Sequence, residues 1–287
     1  MTSSNYRRTF PAPAPMDVSI TSRSGHVEVL AADVSEAEVH LRPSRSGDTE
    51  ALAVIERATV EQHGNSLRVE VSRQGTGPSL LPDPAIDIQV TVPQASTLTV
   101  HTGSANIRAG GGLAETSLHT GSGNITAIGC TDVLTKTGSG DIQVDDVSSV
   151  RASSGSGNVN VERCAGRVDV NTASGDVRVT DLAGDSELRT ASGNVEIGSM
   201  SARVTAKTAS GDVRVQRTVE GTLEAKTASG DVTIGVASGT AAKLDCSAVS
   251  GRVRSDLAPT DAPADGDRTV AVSAKTVSGA ITVTRSN

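Results

Sequence analysis

Aromatic side chains are nearly missing from this chain: its 287 residues hold no Trp, one Tyr and one Phe. A core of ordinary thickness needs large side chains to fill it. A chain that relies on Val, Ile, Leu, Ala and Thr must bury them in a thin interior. The same shortage removes the stacking platforms on which single-stranded nucleic acids are held and the rings that polysaccharide-cleaving solenoid enzymes set beside their paired carboxylates. An excess of positive charge is also missing. The net charge of −7 argues against non-specific attraction to DNA or RNA, so no nucleic-acid partner is expected. No run approaches the roughly 20 apolar residues that span a bilayer. The first residues, MTSSNYRRTFPAPAPM, carry Arg7 and Arg8 without an apolar stretch behind them. They predict neither a signal peptide nor a lipid-anchor cysteine, and the resulting expectation is a cytoplasmic location. P-loop, zincin and dinucleotide fingerprints are absent as well.

What the chain does have is repetition. A phrase Ser-Gly-Asn/Asp-Val/Ile recurs as GSGNI at 121–125, GSGDI at 138–142, GSGNV at 155–159, ASGDV at 173–177, ASGNV at 191–195, and ASGDV at 209–213 and 228–232. Looser copies follow, VSGRV at 249–253 and VSGAI at 277–281. The central glycines, from Gly123 to Gly279, are spaced by 17, 17, 18, 18, 18, 19, 21 and 28 residues. A fixed period near 20 residues means stacked supersecondary units.

Columns taken relative to the central glycine separate inside from outside. Two and four residues after it stand pairs such as Val177/Val179, Val195/Ile197 and Val213/Val215, alternating with polar residues. That is a strand with one buried face. Seven and five residues before it stand Val168/Val170, Val204/Ala206 and Leu223/Ala225. The odd separation between the two sets would put them on opposite faces of one strand, so a bend at the Ser-Gly pair is required. Each unit is then strand, corner, strand, corner. The fold class expected is all-β, a parallel β-solenoid of about 18-residue coils stacked roughly 4.8 Å apart.

Residues 1–100 read as a different region. VSITSRSGHVEVL at 18–30 resembles one degenerate coil, SLRVEVSRQG at 66–75 and AIDIQVTVPQ at 85–94 alternate as strands, 43–57 is weakly patterned, and 75–84 is a Pro/Gly loop. These strands are expected to cap the first open edge, which would otherwise invite aggregation. Residues 101–287 form the repeat region. SDLAPTDAPADGDR at 255–268 interrupts the period as an exposed loop, and the last coil, 275–285, leaves the C-terminal edge without an evident cap.

The register as a whole, with VSI, HVEV, LRVEV, IDIQVTVP and TLTV leading into the SGD/SGN-V-x-V repeats, resembles the bacterial putative-adhesin β-strand-repeat family (DUF4097-type). The resemblance covers about 18–285. It implies the repeat fold and a binding or adhesin-like role, and it brings no catalytic residues with it. Members of that family are often membrane-anchored or exported.

Four sets of side chains stand out. Cys130 and Cys164 share one column two coils apart, roughly 9.6 Å by strand spacing, which is beyond disulfide reach; with Cys246 they are expected to be small core thiols. Asn124, Asp141, Asn158, Asp176, Asn194, Asp212 and Asp231 form a rail at the turn. Asx turn chemistry accounts for it, and the adjacent acids Asp212 and Asp231 are its one weak calcium candidate. Ser122 through Ser229 and Thr120 through Thr227 form two more rails, expected to be a hydrogen-bonded corner ladder. A nucleophilic serine needs a base, and the five histidines, His26, His40, His63, His101 and His119, lie outside the later coils. No catalytic residue, cofactor or metal site is therefore expected.

The fourth set faces outward. Lys136, Arg189, Lys207, Lys226 and Lys275 share a column with His119, Ser153, Asn171 and Ser247. Acids two residues earlier, among them Glu187, Glu224 and Asp245, supply partial neutralisation. This column is the candidate anion-binding track, for a repeating anion such as an envelope polymer or an anionic membrane surface, with peripheral envelope association as the corollary. The leading expectation is a non-enzymatic binding or adhesin-like scaffold. The alternative is a structural protein that self-associates through its open solenoid edge.

Overall fold

The computed structural model describes residues 6–71, 83–258 and 266–286. Among them stands one helix, Thr49–Glu56; the remaining regular elements are strands. The chain divides into two compact units, Met1–Ile142 and Gln143–Asn287. Much of the loops expected at 75–84 and 255–268 lies outside the described residues.

In the C-terminal unit the alternation seen in the sequence becomes a parallel ladder. Val159 pairs with Val177, Val177 with Val195 and Val195 with Val213 on one side of the corner. Val150 pairs with Val168 and Val204 with Leu223 on the other. These apolar residues are buried, as are Leu182 and Met200, seven residues after their glycines. Parity is restored at the corner by two consecutive outward residues. Thr190 and Gly193 are buried while Ala191 and Ser192 between them are exposed. The bend thus falls one residue earlier than the Ser-Gly pair. Asp181, next to Thr180, repeats the device at the second corner, where both are exposed ahead of buried Leu182.

Stacking order departs from chain order at the end of this unit. Gly221–Ser229 and Val232–Ala237 pair with the last two strands, Arg268–Ser278 and Ile281–Ser286. Those in turn pair with Thr240–Ser250 and Val253–Ser255. The last coil in sequence is therefore enclosed, and the coil before it forms the edge. This corrects the expectation that the C-terminal coil is the open one. The physical reason lies in the inward residues. Val270, Val272, Ala274, Ile281 and Val283 are at most 2% exposed, and burial on both sides favours the more apolar coil. The edge coil offers Ala242, Leu244, Cys246 and Ala248 at the matching positions, all half-buried, and Ser255 opposite Val283.

The N-terminal unit uses the same inversion. Asp17–Ser22 lies between Ser66–Glu70 and Thr97–Thr102, parallel to both. Gly25–Ala32 lies between Ile86–Pro93 and the first part of Asn106–Thr120. Here the outer coil is covered. Thr59–His63 adds to Ser66–Glu70 antiparallel, Glu36–Pro43 adds to Ile86–Pro93 antiparallel, and Tyr6–Pro11 adds to Glu36–Pro43. The helix starts at Asp48, whose carboxylate accepts the Ala51 N–H at 2.9 Å; this is an ordinary N-cap. It packs on Glu36–Pro43 and buries Ala51 and Ile55. Among the described residues no helix is long and apolar enough to cross a membrane.

Candidate functional site

Two internal rails hold the corners in place. In most coils the residue three before the glycine is a threonine that points inward and bonds to a neighbouring coil, with Ser154 in its place before Gly157 and Ala248 before Gly251. Thr190 Oγ1 donates to the Gly175 carbonyl at 3.0 Å and accepts the Gly193 N–H at 3.1 Å. Thr172 does the same between Gly157 and Gly175, and Thr137 between Gly123 and Gly140. The corner ladder is thus threonine to backbone, whereas the neighbouring serines, such as Ser174, Ser192 and Ser210, face solvent.

The Asn/Asp rail works in the same way. Asp176 Oδ1 accepts the Asn194 N–H, Asn194 Oδ1 the Asp212 N–H and Asp212 Oδ1 the Asp231 N–H, each at 2.8 Å. Asp231 Oδ1 accepts the Ala280 N–H at 2.7 Å. The side chains bond to the next coil's backbone rather than to one another, so Asn and Asp serve equally. Asp212 and Asp231, the calcium candidates, are each rungs of this rail. Among the described residues no group of three or more His, Cys, Asp or Glu is placed to hold a metal.

Cys130, Cys164 and Cys246 are free thiols. Burial pushes each of them above the ordinary thiol range, and Asp245 adds to the effect at Cys246. Thiols held protonated are poor nucleophiles.

The outward cationic column is where tertiary structure changes the picture. Arg189 pairs in register with Lys207, and Lys207 with Lys226. Because the last coil is enclosed, the next rung is Lys275, not Ser247. Four cations therefore stand on consecutive rungs about 4.8 Å apart. The column two residues earlier reads Glu187, Thr205, Glu224, Ser273 over the same rungs, so four cations face two carboxylates. Arg189 pairs with Glu187, and Glu224 is shared by Lys226 and, at 3.8 Å, Lys207. Lys275 reaches Asp245 of the edge coil at 3.8 Å. The Lys226 hydrogen bond, helped by the charges of Lys207 and Lys226, holds the Glu224 carboxyl below the usual range. The cationic side chains remain 36–51% exposed. Sequence spacing alone misses the fourth rung. A partial signal was present: the edge coil has Ala248 where the last coil keeps a threonine, Thr276, and Arg252 where the seven regular coils have Asn or Asp, although the last coil also departs there, with Ala280.

Lys136 belongs to the N-terminal unit and to a different run. It pairs with His119, which pairs with His101. The two imidazoles stack with centroids 4.9 Å apart, and His119 Nε2 lies 3.1 Å from Ser117 Oγ. Burial, then the charges of His101 and Lys136, hold His119 below the ordinary histidine range. The unfolded chain therefore binds this proton first as pH falls. Stability is full above the unfolded value near 6.5 and declines as pH drops through it toward the lowered folded value. His119→Gln is expected to flatten the fall in melting temperature between about pH 7 and pH 5; an unchanged slope would assign it elsewhere.

Among solved structures, the chain is similar to a protein from Parabacteroides distasonis described as a putative lipid binding protein, with 13% identity and a TM-score of 0.49, covering 99% of this chain and 97% of that one. It is also similar to a putative adhesin from Bacteroides fragilis, with 12% identity and a TM-score of 0.44, covering 75% of this chain and 97% of that one. No curated protein is matched. The family model of the Toastrack DUF4097 group matches residues 16–287, with the parallel coils, inward Val/Ile columns and capped N-terminal strands described above: the chain belongs to the Toastrack DUF4097 family.

Proposed function

We propose that the protein is a non-enzymatic binding scaffold whose C-terminal unit presents Arg189, Lys207, Lys226 and Lys275 as a linear track for a repeating anion. The observation that carries this reading is the uninterrupted four-rung run, whose neighbouring column holds two carboxylates on those rungs, with Asp245 of the edge coil as the third acid in reach. Like charges on adjacent strands destabilise one another unless a counter-ion is present, so a polyanion with matching spacing relieves a cost already built into the sheet. The rigid ladder holds the cations in place before binding, which limits the entropy lost on association. An envelope polymer or the anionic headgroups of a membrane surface fits this chemistry, and peripheral, salt-releasable envelope association follows from it.

The test is charge reversal of all four cations to Glu, with binding measured to a linear polyphosphate, a polyuronate and anionic lipid vesicles. Four exposed contacts at roughly 0.5 kcal/mol each give about 30-fold weaker binding, together with a shallower dependence on salt. Loss only on vesicles would select the lipid surface, and loss only on the soluble polymers would select the polymer. Affinity unchanged for every probe would refute the track. In fractionated cells, envelope-associated protein released by a high-salt wash agrees with this reading, whereas a wholly soluble pool opposes it.

A further inference from the structure

Among the described residues the enclosed last coil leaves Thr240–Ser250 as the edge strand of the C-terminal unit, paired on one side to Arg268–Ser278. Its register keeps one offset from Thr240↔Arg268 to Ala248↔Thr276 and again at Ser250↔Ser278, across the corner at Val249. The Gly279 N–H donates to the Ser250 carbonyl at 3.1 Å, so Ser250 directs its amide groups inward. The corner at 249–250 interrupts the alternation, so the direction farther along is read from the coils below: the Thr222 N–H donates to the Ala202 carbonyl and the Lys226 carbonyl accepts the Thr208 N–H, and Thr222 and Lys226 stand in register with Lys243 and Ser247 through Ala271 and Lys275. Lys243, Asp245 and Ser247 therefore direct their amides into the sheet, and Ala242, Leu244 and Cys246 direct theirs toward the open side. Apolar groups collect at this edge too. Val249 is 83% exposed and Val253 48%, and Leu244 of the coil interior is only half-buried. The outer coil of the N-terminal unit, by contrast, is closed by antiparallel strands.

We propose that this edge pairs with the same edge of a second copy, forming a two-fold antiparallel sheet centred on Leu244. The charge pattern selects that register. With Leu244 on the axis, Lys243 faces Asp245 of the second copy and Asp245 faces its Lys243, so both charges are matched twice over. Centring on Lys243 or Asp245 would oppose like charges, which is destabilising across strands. In the Leu244 register the outward amides of Leu244 face those of its own copy and the amides of Ala242 face those of Cys246, so these pairs exchange backbone hydrogen bonds while each Lys243–Asp245 pair takes the closer, non-hydrogen-bonded position. Leu244 meets its own copy on the apolar face, and Ala242 meets Cys246. The partner is a second copy because the strand is self-complementary in charge, hydrogen bonding and apolar contact at once. The Lys243 and Leu244 variants separate this inference from the anion track, because neither residue belongs to it, whereas Asp245 also reaches Lys275.

Sedimentation velocity over a concentration series tests it. The wild-type protein is expected to show a monomer–dimer equilibrium. Lys243→Asp or Asp245→Lys alone is expected to weaken it by roughly tenfold or more, because two like-charge pairs replace two matched ones. The double exchange Lys243→Asp with Asp245→Lys restores it. A wild-type protein that stays monomeric at all concentrations, or a dimer insensitive to either single change, would overturn the proposal. Cross-linking provides a second measurement should a charge variant fold poorly. In a Cys246→Ser background, Leu244→Cys places two thiols at a hydrogen-bonded position about 5.5 Å apart by Cα, within disulfide range, so mild oxidation yields a covalent dimer. Ala248→Cys in the same background does not, since its two copies lie eight residues apart along the paired strands. No cross-link from Leu244→Cys, or equal cross-linking from both, counts against the register.

Discussion

Gly193→Ala is expected to lower stability by about 3 kcal/mol, the upper end of the cost of forcing extra volume into a packed interior. A Cβ at this position would stand 2.0 Å from the Gly175 carbonyl oxygen and 2.6 Å from its carbon. Both obstacles are backbone, so no rotamer change relieves the clash, and the two coils must separate at the corner. The same contact recurs up the stack, with Gly175 against Gly157, Gly230 against Gly211, and Gly279 against Gly230. These glycines are present because successive backbones approach closely. A urea titration of the variant measures the effect. Gly64→Ala is the informative contrast, because Gly64 has a φ of +60° and open space around its missing side chain. Backbone strain alone should cost it roughly 1–2 kcal/mol. Equal losses in the two variants would mean that close approach is not what demands glycine at the corner.

Thr190→Val should be about as damaging although it keeps the shape of the side chain. The hydroxyl is buried and serves the Gly175 carbonyl and the Gly193 N–H together. Valine leaves both without this partner. A buried polar group left unsatisfied costs about 1–3 kcal/mol, so about 2–6 kcal/mol is expected for the two. Ser192→Ala, two residues along on the exposed face of the same corner, should stay within roughly 0.5 kcal/mol. Hydrogen exchange at the Gly193 amide provides a local readout, and accelerated exchange there in Thr190→Val is the specific signature. A Thr190→Val protein as stable as the parent would show that the threonine rail fills space without bonding.

The two sets of positions were legible to different degrees. Val177, Val179, Val195 and Ile197 could be placed inside from alternation alone, because side-chain direction in a strand is a local property with a period of two. The corner could be located to within one residue, because seven positions between two inward columns demand an odd break. Thr190 was visible as a member of a column but not as a bridge. Its role depends on the distance to a carbonyl in another coil, and no spacing within its own coil reports that. Spacing within one coil assigns the Asn/Asp rail to turn chemistry. Its bonds run between coils, from Asp212 Oδ1 to the Asp231 amide, so the rail also locks the stacking register.

The candidate site divides in the same way. Arg189, Lys207 and Lys226 could be assigned to one outward face from periodicity, and their stacking follows wherever neighbouring coils stay in sequence order. Lys275 joined them only because its coil is enclosed beside Lys226. The edge strand likewise moved from the last coil to Thr240–Ser250.

The amino-acid sequence by itself determined the coil, its inward and outward columns, its glycine corners and the absence of a histidine base from the later repeats, since each of these follows from residues close together in the chain. Tertiary structure alone decided which coil lies next to which at the ends, and with it the fourth rung of the cationic track and the location of the open edge. Near-identical repeats satisfy the same local pattern in any order. The order is settled by which coil gains most from burial on both faces, a comparison between segments far apart in sequence.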